Sequence, residues 1–406
     1  MSTHTLPELL ILRALRGGRK SFDELLRSDA QGLYPPELRL TLAALESEGV
    51  IHADGDRYAI LMPDASGSSQ ASPTALFTLV EPHPHDCDWR FHSESARALA
   101  EVIARRNTLK EEIILLGAPR LFVELMSIPE VGAVTLVDWN EPLLEHLVSQ
   151  GIPAPGQVIW HDLLHGGLMP DDRNGGLVVC DPPWYVPHYI AFLTQASALA
   201  KVGAEVFVSM LPIGTRPGAA ADRDIILGHA SLVGLHIKSL TPAALRYDTP
   251  LFERASLERS GLSVPEDWRA SDLLVLQKLR QVPRSELEDA MARVPAGLDD
   301  GDWLEARIGM RKLKVRRPLD DEGVEPQLIR IESDDVLPTV SRRYPGRARI
   351  DLWLWDNRVY GVRGKAALWA AMCERSSSRS RVDVLVEERV LAKARALLDS
   401  LLSQTN

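Results

Sequence analysis

The chain has 406 residues, too many for a single hydrophobic core, so its length favours two or three domains. Hydrophobic residues make up 45% of it and charged residues 25%, as in ordinary soluble proteins, and no apolar stretch approaches the roughly 20 residues of a membrane-spanning helix. The formal net charge of −10 disfavours sequence-independent binding of nucleic acid, which needs a cationic surface.

The N-terminal sequence and the cysteines indicate where the protein works. The segment MSTHTLPELLILRALRGG has no basic region ahead of its short apolar run and no small-residue cleavage site, so we expect no signal peptide. Cys87, Cys180 and Cys373 are odd in number and far apart, which argues against a disulfide framework. The expected compartment is a reducing cytoplasm.

Residues 1–61 are predicted to form a small winged-helix domain. LPELLILRALRGG has the spacing of an amphipathic helix, and SFDELLRS begins with Ser21 and has Glu24 three residues later, the pattern of a capping box. PPELRLTLAALESEGV is a third helix, and IHADGDRYAIL is a hairpin. Such modules bind DNA in many proteins and serve for dimerisation or docking in others. Both alternatives stay open, because the third helix carries Arg39 but also Glu37.

The remaining chain divides by composition and by pattern. Residues 62–76 are rich in Ser, Pro, Ala and Gly and are predicted to be a linker. Residues 77–282 alternate strands with helices, which indicates a parallel sheet, and end in a predicted antiparallel strand pair. This α/β layout is similar to the Rossmann-like seven-stranded sheet of class I S-adenosylmethionine-dependent methyltransferases. Residues 283–406 are predicted to be a basic α+β domain.

Two short runs are basic although the whole chain is acidic. Residues 307–317 carry six basic side chains and no acid, and four arginines fall within residues 342–349. The simplest interpretation is a solvated face on each strand. The alternative is that these strands and the winged helix bind the phosphates of DNA or RNA. A homodimer is also compatible with the sequence.

Three predicted parallel strands end in residues suited to a nucleotide-like ligand, which in doubly wound sheets lies across the carboxyl ends of the strands. Gly117 ends EIILLG, where the backbone can approach a ligand. Asp138 follows 21 positions later, close to the distance of about 20 residues at which an acid binds ribose hydroxyls. Asp162 ends QVIWHD and is suited to accept a hydrogen bond from an adenine amino group. The alternative for Gly117, which is followed by Pro119 and no further glycine, is a role in helix packing.

The fourth strand, GLVVC, stops at Asp181, and Pro182, Pro183, Trp184 and Tyr185 follow. We predict that a free Asp181 carboxylate and the projecting Pro182 carbonyl hold an amino group by its two hydrogens and direct its lone pair toward an electrophilic carbon. Trp184 or Tyr185 would offer an aromatic face to a planar base. The alternative is an aspartate that caps the next helix, with Trp184 in the core.

The segment DPPWY at 181–185 resembles motif IV of the amino-group methyltransferases. It is similar to the DPPW of N6-adenine methyltransferases acting on DNA or RNA, and to the NPPY of adenine and glutamine N-methyltransferases. The resemblance implies that Asp181 and Pro182 bind the amino group, that Trp184 stacks on the base, and that Asp138 binds the donor ribose. It implies methyl transfer from S-adenosyl-L-methionine to an exocyclic amine, with adenine N6 as the first candidate.

A second resemblance covers more of the chain. The winged helix, the segments GAPRLFVEL and VDWNEPLLEHL, and the DPP tripeptide are similar to branched-chain polyamine synthases, which transfer aminopropyl groups from decarboxylated S-adenosylmethionine to an internal amine of spermidine. Their Gly-Asp-Asp-Asp signature, whose acids hold the cationic acceptor, is replaced here by Gly117-Ala118-Pro119-Arg120. Three hypotheses stay open: an N-methyltransferase, an aminopropyltransferase, and a non-catalytic relative that serves as an interaction module.

Three further residues are candidates for contacts with an acceptor. Arg120 and Arg216, the latter in the Gly/Pro-rich segment MLPIGTRPG, suit a phosphate. Tyr247 lies in the closing strand pair, where enzymes of the first resemblance often contact acceptors. No metal site is predicted, because EPHPHDCDWRF lacks the distant second pair of ligands that zinc sites need.

Overall fold

The structure is a computed structural model that describes residues 6–15, 18–27, 32–47, 50–60, 78–80, 82–86, 88–129, 131–152, 156–170, 173–294, 303–309, 311–317, 319–321, 323–341, 344–376 and 384–403. The predicted linker 62–76 and Cys87 lie outside the described residues. The chain forms two compact units. The first comprises Met1–Leu79, Trp89–Thr249 and Val264–Ala296, and the second comprises Val80–Asp88, Pro250–Ser263 and Gly297–Asn406. The second unit therefore includes two segments from within the range 77–282.

The first unit begins with three helices and a small antiparallel sheet. In chain order these are α1 (Leu6–Leu15), β1 (Lys20–Ser21), α2 (Phe22–Arg27), α3 (Pro35–Ser47), β2 (Ile51–Asp54) and β3 (Arg57–Ile60). The strand order is β1-β3-β2. The capping box forms as expected: the Glu24 amide donates to the Ser21 hydroxyl (3.1 Å), and the Ser21 amide donates to the Glu24 carboxylate (2.7 Å). The assignment of these elements to the winged-helix family stays a prediction.

A seven-stranded sheet forms the rest of the first unit. Its strands are β4 (Ile113–Leu116), β5 (Val134–Asp138), β6 (Gly156–Trp160), β7 (Gly175–Cys180), β8 (Ala200–Met210), β9 (Leu235–Arg246) and β10 (Ala270–Lys278). They lie in the order β6-β5-β4-β7-β8-β10-β9, with β6 to β8 parallel and β10 antiparallel to both of its neighbours. The predicted α/β sheet with an antiparallel last pair is confirmed.

Helices cover this sheet, as the chain pattern predicts. They are α4 (Ser93–Arg106), α5 (Pro119–Met126), α6 (Glu141–Ser149), α7 (Val186–Leu199), α8 (Ala219–Leu232) and α10 (Arg284–Ala292). The intervening helix α9 (Leu251–Arg259) belongs to the second unit. Strand β4 is central and all four of its side chains are fully buried, because a parallel strand is covered on both faces. No helix within the described residues is both long and apolar enough to cross a membrane.

The second unit is a five-stranded antiparallel sheet with helices. Its remaining elements are β11 (Trp303–Ile308), β12 (Arg311–Arg316), β13 (Gln327–Arg330), β14 (Leu352–Leu354), β15 (Val359–Arg363), α11 (Lys365–Arg375) and α12 (Glu388–Ser403). The strand order is β11-β12-β14-β15-β13. Leu313 of β12, Leu352 of β14, Trp369 of α11 and Leu398 of α12 belong to one hydrophobic core. An α+β arrangement is therefore present in the C-terminal part of the chain.

A buried ion cluster lies within the second unit. The ammonium groups of Lys312 and Lys314 each donate to the Asp86 carboxylate at 2.6 Å, and Glu305 lies 3.5 Å from both. Burial acts to raise the pKa of Asp86, but the two lysine charges outweigh it and hold the pKa well below its ordinary value. The interpretation of residues 307–317 as a solvated basic face is therefore wrong for Lys312 and Lys314, because strand β12 turns them toward an internal acid.

The second basic run is partly internal as well. Arg347 is 4% exposed and donates to the Val340 carbonyl at 2.8 Å. Arg316 of the first run donates to the carbonyl groups of Ile350 (2.6 Å) and Arg347 (2.9 Å). These guanidinium groups stabilise the fold of the second unit. Contact with phosphates stays a prediction for Arg317 and Arg349, which are exposed, while residues 342–343 lie outside the described part of the chain.

We predict that Asp86→Asn destabilises the second unit by about 3–5 kcal/mol, because two buried ammonium groups lose their main counterion. Since the native pKa of Asp86 is lowered, its contribution is complete above the ordinary carboxyl pKa of about 3.9 and is lost as pH falls through the native value. Hydrogen exchange of the β12 amides should show the same loss of protection from about pH 5 to pH 8.

The control for this experiment is Glu325→Gln, which breaks the exposed ion pair with Lys393 in the same unit and should leave β12 protection nearly unchanged. Unchanged β12 protection in Asp86→Asn would show that the cluster does not stabilise the unit.

Candidate active site

The residues predicted to bind the donor and the acceptor lie on one edge of the seven-stranded sheet. Strands β6, β5, β4 and β7 are parallel neighbours in that order, about 4.8 Å apart, so their carboxyl ends meet at the same edge. Gly117 follows β4, Asp138 ends β5, Asp162 lies two residues beyond β6, and Asp181 follows β7. The structure therefore brings both the predicted donor residues and the predicted acceptor loop to this edge.

Gly117 makes the close turn between β4 and α5. Its φ of +67° lies in the left-handed region, which favours glycine. A Cβ at this position would lie 3.1 Å from the Phe192 ring and 3.2 Å from the carbonyl oxygen of Asp181. The glycine is needed both for its backbone conformation and for close packing against α7, and it places the two loops against each other.

Asp138 is oriented by the turn that follows β5. Its Oδ1 accepts from the Asn140 amide at 2.8 Å, and the Asn140 side chain in turn caps α6. Asp138 is 7% exposed, and the next residue, Trp139, is 44% exposed. The carboxylate therefore has a fixed direction at the strand end, as a ribose-binding acid requires, with Oδ1 already engaged.

Asp162 shapes its own turn. Its Oδ1 accepts from the amides of Leu164 and His165, both at 2.9 Å, and its Oδ2 lies 3.2 Å from His165 Nδ1. Partial burial acts to raise the pKa of Asp162, and these hydrogen bonds outweigh it, so the pKa is lowered. A predicted hydrogen bond from an adenine amino group would have to share Oδ2 with His165.

Asp181 is held by hydroxyl groups from two other strands. Its Oδ1 accepts from the Ser209 hydroxyl on β8 (2.5 Å) and from the Tyr247 hydroxyl just beyond β9 (2.6 Å). The prediction of a free carboxylate is therefore wrong for Oδ1. The alternative, a cap on the next helix, is also wrong, because the N-cap residue of α7 is Tyr185 and has no side-chain cap.

Tyr247 is a permanent hydrogen-bond donor at this site. It is 2% exposed, and burial together with the charge of Asp181 raises the pKa of its phenol well above the ordinary value. Its ring lies 5.0 Å from the ring of Phe91 and meets the ring of Trp184 edge-on at 5.8 Å. Tyr247 was one of the weaker candidates from the sequence, and the structure brings it into direct contact with Asp181.

A second set of contacts fixes the end of β8 that carries Ser209. The buried Tyr189 hydroxyl donates to the Ser209 carbonyl (2.9 Å) and accepts from the Leu211 amide (2.8 Å). Arg223 donates to the Leu211 carbonyl (3.2 Å) and pairs with Asp272 of β10 at 2.6 Å. The hydroxyl that reaches Asp181 is thus set by two buried polar groups behind it.

Trp184 does not present an open face. It is 8% exposed, and the guanidinium carbon of Arg269 lies over its ring at 4.1 Å from the centroid. The same carbon lies 4.1 Å from the ring centroid of Trp89. The predicted stacking of a base on Trp184 is contradicted for the face that Arg269 occupies. In the same loop the Pro183 carbonyl accepts from the Tyr185 amide (2.7 Å), so the carbonyl of Pro183 closes the turn.

The two predicted phosphate contacts already have acidic partners. Arg120 lies 3.6 Å from Asp248, and Arg216 lies 2.8 Å from Asp222, with its guanidinium carbon 5.8 Å from the Tyr185 ring centroid. Burial raises the pKa of Asp248 although Arg120 lies nearby. Any bound anion would therefore compete with an internal carboxylate at each arginine.

Two residues of the site were missed from the sequence. Ser209 had a weak signal, since it is the polar residue within the buried segment VFVSML of β8. Arg269 had none, because it meets Trp89 and Trp184 only in the folded chain. Within the described residues no group of three or more His, Cys, Asp or Glu side chains is placed to hold a metal ion.

No family model matches the chain, and no curated protein matches its sequence. Among solved structures it is similar to a mutein of the branched-chain polyamine synthase from Thermus thermophilus in complex with N4-aminopropylspermidine and 5'-methylthioadenosine. That match has a TM-score of 0.50 and 17% identity and covers 68% of this chain and 87% of that chain.

Two further solved structures show weaker likeness. The unmodified Thermus thermophilus synthase gives a TM-score of 0.49 and 18% identity over 71% of this chain and 92% of that chain. Magnesium protoporphyrin IX methyltransferase from Synechocystis PCC 6803 with bound SAM gives a TM-score of 0.32 and 15% identity. That match covers 46% of this chain and 79% of that chain. The first match shows a shared fold, and the predicted Rossmann-like methyltransferase fold is confirmed.

We predict that Gly117→Ala costs more stability than backbone strain alone explains. The left-handed conformation costs about 1–2 kcal/mol for a residue with a Cβ, and forcing the Cβ against the Asp181 carbonyl adds about 1–3 kcal/mol. Gly151→Ala is the matched control, since Gly151 has a φ of +74° and nothing within 4 Å of its Cβ position. Urea unfolding of the two variants measures the difference, and equal losses would contradict the close contact.

We predict that Tyr247→Phe lowers the free energy of unfolding by about 1–3 kcal/mol, because Asp181 loses a buried hydrogen-bond donor. Since the phenol pKa is raised, this contribution is fully present below the ordinary tyrosine pKa of about 10 and is lost as pH rises through the native value. Urea unfolding at pH 6 and pH 9 should show the same loss. The half-buried Tyr58 of β3 provides the control variant Tyr58→Phe, and an equal effect there would contradict the role of Tyr247.

Proposed function

We propose that the chain transfers a group from an S-adenosylmethionine-type donor to an amine, and that the reaction is methyl transfer from S-adenosyl-L-methionine to an exocyclic amine. The observation that carries this proposal is the packing of the Gly117 turn against the Asp181 carbonyl, with Asp181 held by two hydroxyl donors. A donor bound over the end of β4 would thereby lie next to an acceptor bound at the end of β7.

The donor side of the proposal uses three strand ends. In this proposal Gly117 lets the backbone approach the donor, Asp138 accepts from ribose hydroxyls, and the Oδ2 of Asp162 accepts from the adenine amino group. The fixed direction of Asp138, set by the Asn140 amide, supports the ribose assignment. It also means that the site does not need to rearrange before it binds.

The acceptor side depends on Asp181 and the Pro182 carbonyl. Because Ser209 and Tyr247 both donate to Oδ1, the carboxylate remains a hydrogen-bond acceptor that orients the amine. The amine nitrogen forms a bond to the methyl carbon as the carbon–sulfur bond breaks, and the extra proton on nitrogen leaves to solvent. Proximity and orientation supply the rate enhancement in this scheme.

Adenine N6 in DNA or RNA is the first acceptor we propose, on the strength of the DPPW segment. The N-terminal helical module and the exposed arginines of the second unit are the proposed contacts for the nucleic acid. Trp184 then holds Arg269 in place, and base stacking at Trp184 is not part of this proposal.

Aminopropyl transfer to a polyamine is the second candidate. One observation favours it: the likeness to the Thermus thermophilus synthase mutein covers 87% of that chain. One feature disfavours it: Ala118, Pro119 and Arg120 stand where the synthases have the three acids that hold the cationic acceptor.

We predict that S-adenosylmethionine and S-adenosylhomocysteine bind the full chain in isothermal titration, and that Asp138→Asn weakens both by roughly 10- to 100-fold through loss of a charged hydrogen bond. Asp289→Asn, an exposed acid on α10, is the charge-matched control and should bind as wild type. Thermal unfolding of each variant establishes that it is folded.

The titration separates the three hypotheses. Preference for decarboxylated S-adenosylmethionine would replace methyl transfer by aminopropyl transfer. Binding of none of the three compounds by folded wild-type protein would overturn the enzyme proposal and leave an interaction module. If S-adenosylmethionine and S-adenosylhomocysteine bind, adenine-containing oligonucleotides are then screened for uptake of a labelled methyl group.

A further inference from the structure

The N-terminal module, which comprises the elements from α1 to β3, belongs to the same compact unit as the seven-stranded sheet. Residues 212–215, which follow β8, and residues 267–268, which precede β10, are two segments that the module contacts. Each of these segments is connected to one of the hydroxyl groups that hold Asp181, the first to Ser209 and the second to Tyr247.

A row of aromatic rings leads from the module toward the loop after β7. Tyr34, the residue before α3, lies 6.1 Å from Trp268, and Trp268 meets Trp89 edge-on at 6.3 Å, both measured between ring centroids. Trp268 is 2% exposed, so these contacts lie inside the protein. Because protein interiors are close-packed and transmit strain, a displacement of one of these rings displaces the next.

The row continues to Asp181 through Arg269. The guanidinium carbon of Arg269 lies 4.1 Å from the ring centroids of Trp89 and Trp184, and the ring of Trp184 meets that of Tyr247 edge-on at 5.8 Å. The Arg269 carbonyl also accepts from the Tyr247 amide at 2.9 Å. The Tyr247 hydroxyl, 2.6 Å from Asp181 Oδ1, is therefore connected through a side chain and through the backbone to the segment that the module contacts.

An ion triad joins the module to the same segment. Asp267 accepts from Arg27 of α2 at 3.0 Å and from Arg246, the last residue of β9, at 2.8 Å. Partial burial acts to raise the pKa of Asp267, and the two guanidinium groups outweigh it, so the pKa is lowered. Arg246 directly precedes Tyr247 in the chain, so the triad ties the module to the residue beside this hydroxyl donor.

The segment after β8 packs against the backbone of the module. Gly32 has a φ of +79°, and a Cβ at this position would lie 2.7 Å from Cγ of Pro212 and 3.4 Å from Oγ1 of Thr215. Helix α1 also lies beside residues 213–215. Pro212 comes three residues after Ser209, whose hydroxyl donates to Asp181 at 2.5 Å. The module is thus packed against the turn that directly follows the second hydroxyl donor.

We propose that the N-terminal module is a structural part of the acceptor site, and that Gly32 and Tyr34 are positioning residues for the hydroxyl groups that hold Asp181. The name acceptor site rests on the proposed function, whereas the positioning is a property of the folded chain that is measured without a substrate. The module acts from the side of the protein, through the two segments that it contacts, and this role does not require it to bind DNA.

The test follows the fluorine NMR signal of Trp184 in the full chain labelled with 5-fluorotryptophan. Of the nine tryptophan signals, this is the one that Trp184→Phe removes. It reports the contacts of the ring with Arg269 and Tyr247 in the folded state, and a loss of global stability alone does not move it. Tyr34→Leu should shift the signal by more than its linewidth, because the row of rings loses its first member.

The matched control is Tyr58→Leu, which removes the same side chain from β3 of the same module and should leave the Trp184 signal in place. Where Tyr34→Leu does not fold, Arg27→Gln replaces it, because Arg27 is 44% exposed and the change removes only its ion pair with Asp267. It should shift the signal in the same way by a smaller amount.

A second pair of variants tests the segment after β8. Gly32→Ala places a Cβ against Pro212 and should shift the Trp184 signal through Ser209 and Asp181. Gly55→Ala carries the same backbone strain in the same module, since Gly55 has a φ of +65° and nothing within 4 Å of its Cβ position, and should not shift it. An unmoved signal in one folded variant removes that connection, and an unmoved signal in both, or equal shifts in the controls, overturns the proposal.

Titration with S-adenosylmethionine separates this proposal from the proposed function. Folded Gly32→Ala should bind this donor as wild type does, because the predicted donor residues Asp138 and Asp162 lie at other strand ends. If the wild type binds no donor and the Trp184 signal still shifts in Gly32→Ala, the proposed function fails and the positioning role stands. If the donor binds and the signal stays in place in Gly32→Ala and Tyr34→Leu, the positioning role fails and the proposed function stands.

Discussion

One carboxylate oxygen, Oδ1 of Asp181, determines the geometry of the candidate site. It accepts hydrogen bonds from the hydroxyl groups of Ser209 on β8 and of Tyr247, the residue after β9. In the sheet these two strands are separated by β10. A partly buried carboxylate needs such donors, because an uncompensated charge away from water is costly. Since the Tyr247 phenol keeps its proton, this donor is present at every ordinary pH, and it holds the carboxylate at the start of the loop that follows β7.

The same requirement that buried charge be compensated explains the basic strands of the second unit. Lys312 and Lys314 belong to a run that, counted along the chain, has the composition of a phosphate-binding surface, and strand β12 directs them to Asp86 inside the fold. Alternation along a strand decides which charges face water, and a count of charges does not. Those two lysines cannot therefore contribute to an electrostatic surface for nucleic acid.

Local sequence patterns predicted the helices, the strands and the strand ends, but they did not predict which residues distant in the sequence contact each other. The buried run of β4, the capping box at Ser21 and the residues at four strand ends follow from periodicity and from the rule that parallel strands end together. The contacts of Tyr247 with Asp181 and of Lys312 with Asp86 join residues 66 and 226 positions apart. Which of many polar side chains meet at such distances is set by strand register and by irregularities such as those between β9 and β10, which no local pattern specifies.

The tryptophan of the Asp-Pro-Pro-Trp segment shows how one sequence pattern can serve two physical purposes. In the motif that this segment resembles, an aromatic residue at this position stacks on the base. In this chain the ring of Trp184 instead contacts the guanidinium of Arg269. Stacking a base on the occupied face would first break a cation–π contact worth about 0.5–2 kcal/mol. An acceptor recognised by stacking on that face would therefore have to displace Arg269, so the ring of Trp184 contributes to the fold of the loop whatever the acceptor is.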